Sequence, residues 1–127
     1  MTHPLASIVV TTKNEEKNIE NCLLSITEQT YPCLEVIIVD NHSSDRTQEI
    51  ALKFTDKFFI KGPERSAQRN YGMIEVAKGK YVMFLDADMI LGPKTIETCV
   101  SMVEAEKWAA LHIPECILGK NYFSRVR

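Results

Sequence analysis

Glycine is scarce in this sequence, 5 residues in 127, and none of it falls in a G-x-G-x-x-G or G-x-x-x-x-G-K-[ST] run. That argues against the two backbone loops that most often cradle a dinucleotide or a nucleoside triphosphate. Cysteine is sparse as well. Cys22, Cys33, Cys99 and Cys116 form no C-x-x-C pair and no metal-ligand spacing, so the expectation is buried free thiols in a reducing cytoplasm rather than a zinc site or a disulfide framework. No stretch nears 18 consecutive apolar residues, which predicts no membrane span. The first ten residues, MTHPLASIVV, lack the basic start and apolar length of a signal peptide. Lysine and arginine never cluster beyond two in a row, the formal net charge is -2 and the pI is near 5.9. Nucleic acid is not an expected partner.

What is present is the material of one globular domain, residues 1–127, with 45% hydrophobic and 25% charged residues and no repeat, linker or low-complexity tract. Short β-branched runs alternate with longer helical segments. SIVVTT (7–12) reads as a strand, and residues 14–29 as a helix carrying Ile19, Leu23 and Ile26. LEVIIVD (34–40) is a second strand, apolar enough to require cover on both faces. Residues 41–54 supply a turn, a serine at a helix N-cap and a helix. KFFIKG (57–62) reads as a third strand, and Ser66 to Lys78 as a helix closed by Gly79 as C-cap. KYVMFLD (80–86) is a fourth strand, residues 93–108 a helix with Ile96, Val100 and Val103, and AALHIP (109–114) a fifth strand. This alternation predicts an α/β fold, a mostly parallel sheet with helices on both faces. Ligands of such sheets sit beyond the carboxyl ends of the strands, where the strand order reverses. The polar clusters Thr11–Asn14, Asp40–Asp45 and Asp86–Asp88 all fall at such ends.

The most telling stretch is YVMFLDADMI (81–90). Two carboxylates, i and i+2, beyond a wholly apolar strand suit a hard divalent cation that also takes phosphate oxygens; a solvated turn with one aspartate capping a helix is the plainer alternative. In VDNHSSDRT (39–47), Asp40 and Asn41 can read a base edge or hold a ribose hydroxyl, while Asp40 with Ser43 or Ser44 can equally cap the next helix. His42 reads as a loop residue. The polar turn TTKNEE (11–16) can contact a nucleotide, with Glu15 and Glu16 favouring the helix dipole. Arg65 and Arg69, four apart, share one helix face and can reach a diphosphate or the carboxylates of the crevice; a plain surface face is the alternative.

SIVVTTKNEE, VIIVDNHSSDRT, ERSAQRNYG and GKYVMFLDAD, in that order and spacing, resemble the N-terminal half of the family 2 glycosyltransferases, which have the GT-A fold. The match covers about residues 6–92. The resemblance implies a nucleotide-diphosphate sugar as donor and Mg²⁺ or Mn²⁺ as cofactor. Thr11, Asn14, Asp40 and Asn41 would belong to the nucleotide-sugar site, with Thr11, Asp40 and Asn41 on the base or ribose. Arg65 or Arg69 would lie near the base or phosphates. Asp86 and Asp88 would hold ribose and metal, Asp88 as the direct ligand. The implied chemistry is displacement at the anomeric carbon by an acceptor hydroxyl, the acceptor being a saccharide, a lipid-linked sugar or a protein.

Two departures qualify the likeness. Thr11 stands where many relatives have proline. Only 39 residues follow Asp88, so the second half that builds the acceptor site and supplies the general base is expected to be missing; Glu97, Glu104, Glu106 and Glu115 are not expected to replace it. The chain then reads as a donor-binding half of a cytoplasmic enzyme, working at the inner face of the membrane where acceptors are lipid-linked, with an apolar face exposed for self-association. A non-catalytic nucleotide-binding or assembly module of the same fold is the alternative. A haloacid dehalogenase-type phosphatase fits less well, because isoleucine follows DADM and the pair comes after three βα units. A receiver domain would need its acidic pair at the first strand.

Overall fold

The computed structural model describes residues 3–113 in full and the strands 116–118 and 123–126 by their backbone. In order, the elements are β1 (Ala6–Thr12), α1 (Ile19–Thr27), β2 (Leu34–Asp40), α2 (Thr47–Ala51), β3 (Phe58–Ile60), α3 (Arg65–Asn70), β4 (Tyr81–Asp86), α4 (Thr95–Glu106), β5 (Cys116–Leu118) and β6 (Phe123–Val126). The chain divides into two compact units, Met1–Glu97 and Thr98–Arg127. Among the described residues, no helix is long and apolar enough to cross a membrane.

The first unit carries a four-stranded, all-parallel sheet in the order β3-β2-β1-β4, flanked by helices. From β1 the chain steps outward to β2 and β3, then returns across the sheet to lay β4 on the other side of β1. Right-handed crossovers put α1 and α2 on one face and α3 on the other, and the strand order reverses between β1 and β4. Both faces are dry. Val9, Ile37 and Val39 pack with Phe59, Tyr71, Val76, Ala77 and Val82 on the α3 side. Ile8, Val10 and Ile38, of opposite parity, are fully buried, as are Ile19 and Cys22 of α1. This two-sided burial is why β1 and β2 read as continuous apolar runs.

Four sequence expectations are corrected. The first helix starts at Ile19, not residue 14, because the amides of Asn14, Glu15 and Glu16 are taken by Ser43, Thr47 and Asp45; the acid of its first turn is Glu20. No serine caps α2. Asp45 accepts the Thr47 N–H at 3.0 Å instead, while Ser43 and Ser44 turn toward Asp40 and Asn14. Gly79 is not a left-handed cap, since no glycine has positive φ among the described residues. Glycine is needed there because a Cβ would lie 2.7 Å from the Leu5 carbonyl and 2.6 Å from Ser7 Oγ. Residues 109–113 form no strand, and Pro114 lies outside the described residues; the antiparallel pair of the second unit is β5 with β6. The third helix also changes character, from α to a π-helical turn over Tyr71–Val76, with the Ala77 N–H reaching back to the Gly72 carbonyl at 2.8 Å. Gly72 lets this turn press on the sheet, for a Cβ would stand 2.6 Å from Val9 Cγ1.

At the amino end of the sheet, the buried Glu35 carboxylate ties three segments together. It accepts from Ser7 Oγ at 2.5 Å, Lys57 Nζ at 2.7 Å and the Lys78 N–H at 2.7 Å, and Ser7 Oγ in turn accepts the Gly79 N–H at 2.8 Å. Burial pushes the Glu35 pKa up, but the hydrogen bonds from Lys57, Ser7 and Lys78 outweigh it and hold the carboxyl at about 2 against an ordinary 4.5. A depressed folded-state pKa stabilises above the unfolded value and is lost as pH falls. Glu35→Gln should therefore cost about 2 kcal/mol at pH 7. In urea unfolding, its deficit relative to the parent chain should shrink as pH drops from about 4.5 toward 2; a deficit independent of pH would contradict the ionised network.

Candidate functional site

The register of β1 with its two neighbours builds the site. Thr12 lies opposite Asp40, the last residue of β2, and Thr11 lies opposite Asp86, the last residue of β4. Each threonine donates its hydroxyl to the aspartate across from it: Thr12 to Asp40 Oδ1 at 2.5 Å and Thr11 to Asp86 Oδ1 at 3.2 Å. Beyond these ends opens a cleft of ≈ 440 Å³, walled by Thr11, Thr12, Lys13, Glu15, Asn41, Arg65, Gln68, Asp86 and Asp88. It sits at the reversal in strand order, where an open α/β sheet takes its ligand.

Of the residues singled out from the sequence, Thr11, Asn41, Arg65, Asp86 and Asp88 meet at this wall. Asp40 and Asn14 stand behind it. Asp40 is 2% exposed, and its carboxylate is satisfied from within by Thr12, the Ser43 N–H at 2.7 Å and Ser43 Oγ at 2.6 Å. Asn14 has φ 52°, and its Oδ1 accepts the Ser44 N–H at 2.8 Å. Both residues fasten the β1 and β2 loops to each other. Asn41 anchors the rim: its Nδ2 donates to the Pro63 carbonyl at 2.8 Å, and Gly62 leaves the space that the Asn41 Oδ1 occupies.

Asp86 and Asp88 are unlike. Asp86 accepts from Thr11 and from Arg69 at 3.3 Å, and Arg65 stands at 3.7 Å as a longer ion pair. Asp88 is exposed, and no hydrogen bond or ion pair engages its carboxylate among the described residues. Both, with Glu15, gather above Cys22, whose thiol pKa is pushed up to about 12 by burial first and then by Asp88, Glu15 and Asp86. Cys22, Cys33 and Cys99 are free thiols, Cys22 buried and the other two partly so; the Cys22 thiol stays protonated and is no nucleophile. The donor set can be tested against a metal. Among the described residues, no group of three or more His, Cys, Asp or Glu side chains could hold one. A free carboxylate with one paired carboxylate nearby instead suits a hard ion that completes its shell with phosphate and water oxygens, as Mg²⁺ and Mn²⁺ do.

Thr12 falls within the polar turn TTKNEE, whereas Gln68 escapes a sequence reading. Gln68 looks like an exposed helix residue, yet it is 3% exposed, and its Nε2 donates to the Thr12 carbonyl at 3.0 Å and the Val39 carbonyl at 2.7 Å. One amide thereby bridges the ends of β1 and β2 where their ladder stops. The only signal was its place between Arg65 and Arg69, one residue before the latter. Glu97, Glu104 and Glu106 lie on α4 as expected, and Glu115 is outside the described residues.

With this geometry in place, comparison with known proteins identifies the lineage. The family model for glycosyl transferase family 2 matches residues 7–126, and the chain belongs to that family. It is 37% identical over 111 residues to the glycosyltransferase AglE of Haloferax volcanii, covering 80% of this chain and 36% of that protein. Among solved structures, S. aureus TarS 1-349 in complex with UDP-GlcNAc superposes with a TM-score of 0.70 at 27% identity, over 90% of this chain and 33% of the other. The mannosyltransferase PcManGT of Pyrobaculum calidifontis, in complex with GDP-Man and Mn²⁺, gives 0.64 at 25% identity, over 92% and 35%. The sheet described above is thus that of the GT-A glycosyltransferases, and the chain spans about a third of the length of the relatives it matches.

If Gln68 holds the strand ends through its donors, an acceptor-only isostere must fail. Gln68→Glu should destabilise the chain by about 2–3 kcal/mol at pH 7, because a carboxylate would face two carbonyl oxygens. The penalty should ease toward pH 4.5 as the new carboxyl, with its folded-state pKa raised, takes up a proton. Urea unfolding of both chains at the two pH values checks this; equal stability at pH 7 would remove Gln68 from its bridging role.

Proposed function

We propose that this chain is the donor-binding half of a glycosyltransferase, taking a nucleotide-diphosphate sugar and a divalent cation in the cleft beyond β1 and β4. The observation that carries the reading is the free Asp88 carboxylate, two residues beyond a paired Asp86, at the wall of a cleft built at the sheet's switch point. The complexes of TarS with UDP-GlcNAc and of PcManGT with GDP-Man and Mn²⁺ support it from related folds.

In this reading Asp88 is the direct ligand of Mg²⁺ or Mn²⁺, and Asp86 stands beside it toward the ribose and the ion. Bound there, the cation stabilises the charge that develops on the departing diphosphate. Thr11 and Asn41 meet the base and ribose, and Arg65 and Arg69 supply positive charge next to the carboxylates. Asp40 and Asn14 serve indirectly, by fastening the two loops that carry Thr12 and Asn41. The residues that bind the acceptor and the base that activates its hydroxyl belong to the part of the enzyme that corresponds to the remaining length of the relatives. Phe84 and Ile90, exposed on either side of the aspartates in sequence, supply apolar surface for that part or for self-association of this chain alone.

Calorimetric titration with UDP, GDP and dTDP, each with and without Mn²⁺, tests the proposal. One nucleotide should bind in a metal-dependent way, and Asp88→Ala should weaken it at least tenfold, about 1.4 kcal/mol, while leaving thermal stability unchanged because the side chain is exposed and unpaired. Binding of no nucleotide by the folded chain would favour the assembly-module reading.

A further inference from the structure

Two arginines address one carboxylate in this cleft, and they do so unequally. Arg69 is the better held. Its guanidinium donates to Asp86 Oδ1 at 3.3 Å, the same oxygen that accepts the Thr11 hydroxyl. It lies 5.8 Å from the centre of the Phe84 ring, within cation–π range. Its side chain is 40% exposed, with Nε buried and without a hydrogen-bond partner among the described residues. Moving Arg69 would break both the hydrogen bond and the ring contact. Arg65 is loosely placed. It approaches Asp86 Oδ2 only to 3.7 Å, beyond hydrogen-bond reach, its side chain is 63% exposed, and Asp86 is its one charged partner among the described residues. An ion pair this long, with its cation this exposed, is weak.

The charge of the wall gives that looseness a use. Lys13 and Arg65 are its cations, and Glu15, Asp86 and Asp88 its anions. An entering diphosphate therefore needs positive charge turned toward it, and Arg65 is a wall cation whose present partner already has a second arginine. We propose that Arg65 is a transferable cation: paired with Asp86 in the free protein, it passes to the diphosphate oxygens of the nucleotide, while Arg69 stays on Asp86. The exchange trades a weak, exposed ion pair for a bidentate guanidinium–phosphate contact. It also frees Asp86 Oδ2 for the ligand or its ion without leaving the carboxylate unpaired. The inference rests on the nucleotide-diphosphate reading above and separates the duties of the two arginines, which that reading leaves shared.

The test is calorimetric titration of the parent chain and Arg65→Gln, in Mn²⁺, with UDP, GDP and dTDP and with the corresponding nucleosides uridine, guanosine and thymidine. For the nucleotide that binds, Arg65→Gln should weaken the diphosphate about tenfold, leave its nucleoside within about twofold, and leave the melting temperature unchanged. Equal diphosphate affinity in the two chains would overturn the inference while leaving the donor-site reading intact. Equal losses for nucleoside and diphosphate would also overturn it, by assigning Arg65 to the base. A folded parent chain that binds none of the three nucleotides would remove the donor-site reading and this one with it.

Discussion

The carboxyl end of this sheet depends on making Asp40 affordable. A carboxylate at 2% exposure is costly unless donors surround it, and three donors do: the Thr12 hydroxyl and the Ser43 amide and hydroxyl. That requirement pins the loop after β2 beneath the end of β1. The same loop then takes the amides of Asn14, Glu15 and Glu16, delays the first helix to Ile19, and leaves Lys13 and Glu15 facing the cleft. Satisfying one buried charge thereby shapes two loops and one wall of the site.

The opposite wall comes from one short helix. Within α3, Arg65, Gln68 and Arg69 reach three strand ends, Gln68 to β1 and β2 and the arginines to β4. The helix can do this because its continuation, the π-helical turn with Gly72, lies close against Val9 and Val39. Close approach is a property of the glycine, and the site inherits it. Gly62 plays a similar part at the rim, where the Asn41 side chain occupies the space that a Cβ would need.

The chain belongs to glycosyl transferase family 2, and the structure separates residues that a motif leaves merged. The D-x-D string presents two equal carboxylates. In the fold, Asp86 is a hub for a threonine and two arginines, whereas Asp88 is exposed and without a partner among the described residues. The difference follows from position: Asp86 is the last paired residue of β4, opposite Thr11, and Asp88 lies past the sheet, where nothing of this unit competes for it.

Much of the fold was legible because it rests on periodicity. β2 runs over Leu34–Asp40 as its apolar run predicts, β1 and β4 lie within a residue of expectation at each end, and the parallel sheet follows from strand–helix alternation. Helix starts were less legible, since competition for amides by Ser43, Asp45 and Thr47 comes from some 30 residues away. Gly79 misled because a close approach and a left-handed cap both call for glycine, and only coordinates tell them apart. The sequence by itself determined the four parallel strands, the burial of β1 and β2 on both faces and the polar residues at the strand ends, because local period and side-chain chemistry decide these. Tertiary structure alone decided that Asp40 is enclosed, that Gln68 bridges two strands and that Asp86 is paired while Asp88 is not. Each of those outcomes depends on which strand lies beside β1 and in what register, and contacts between residues far apart in the chain set both.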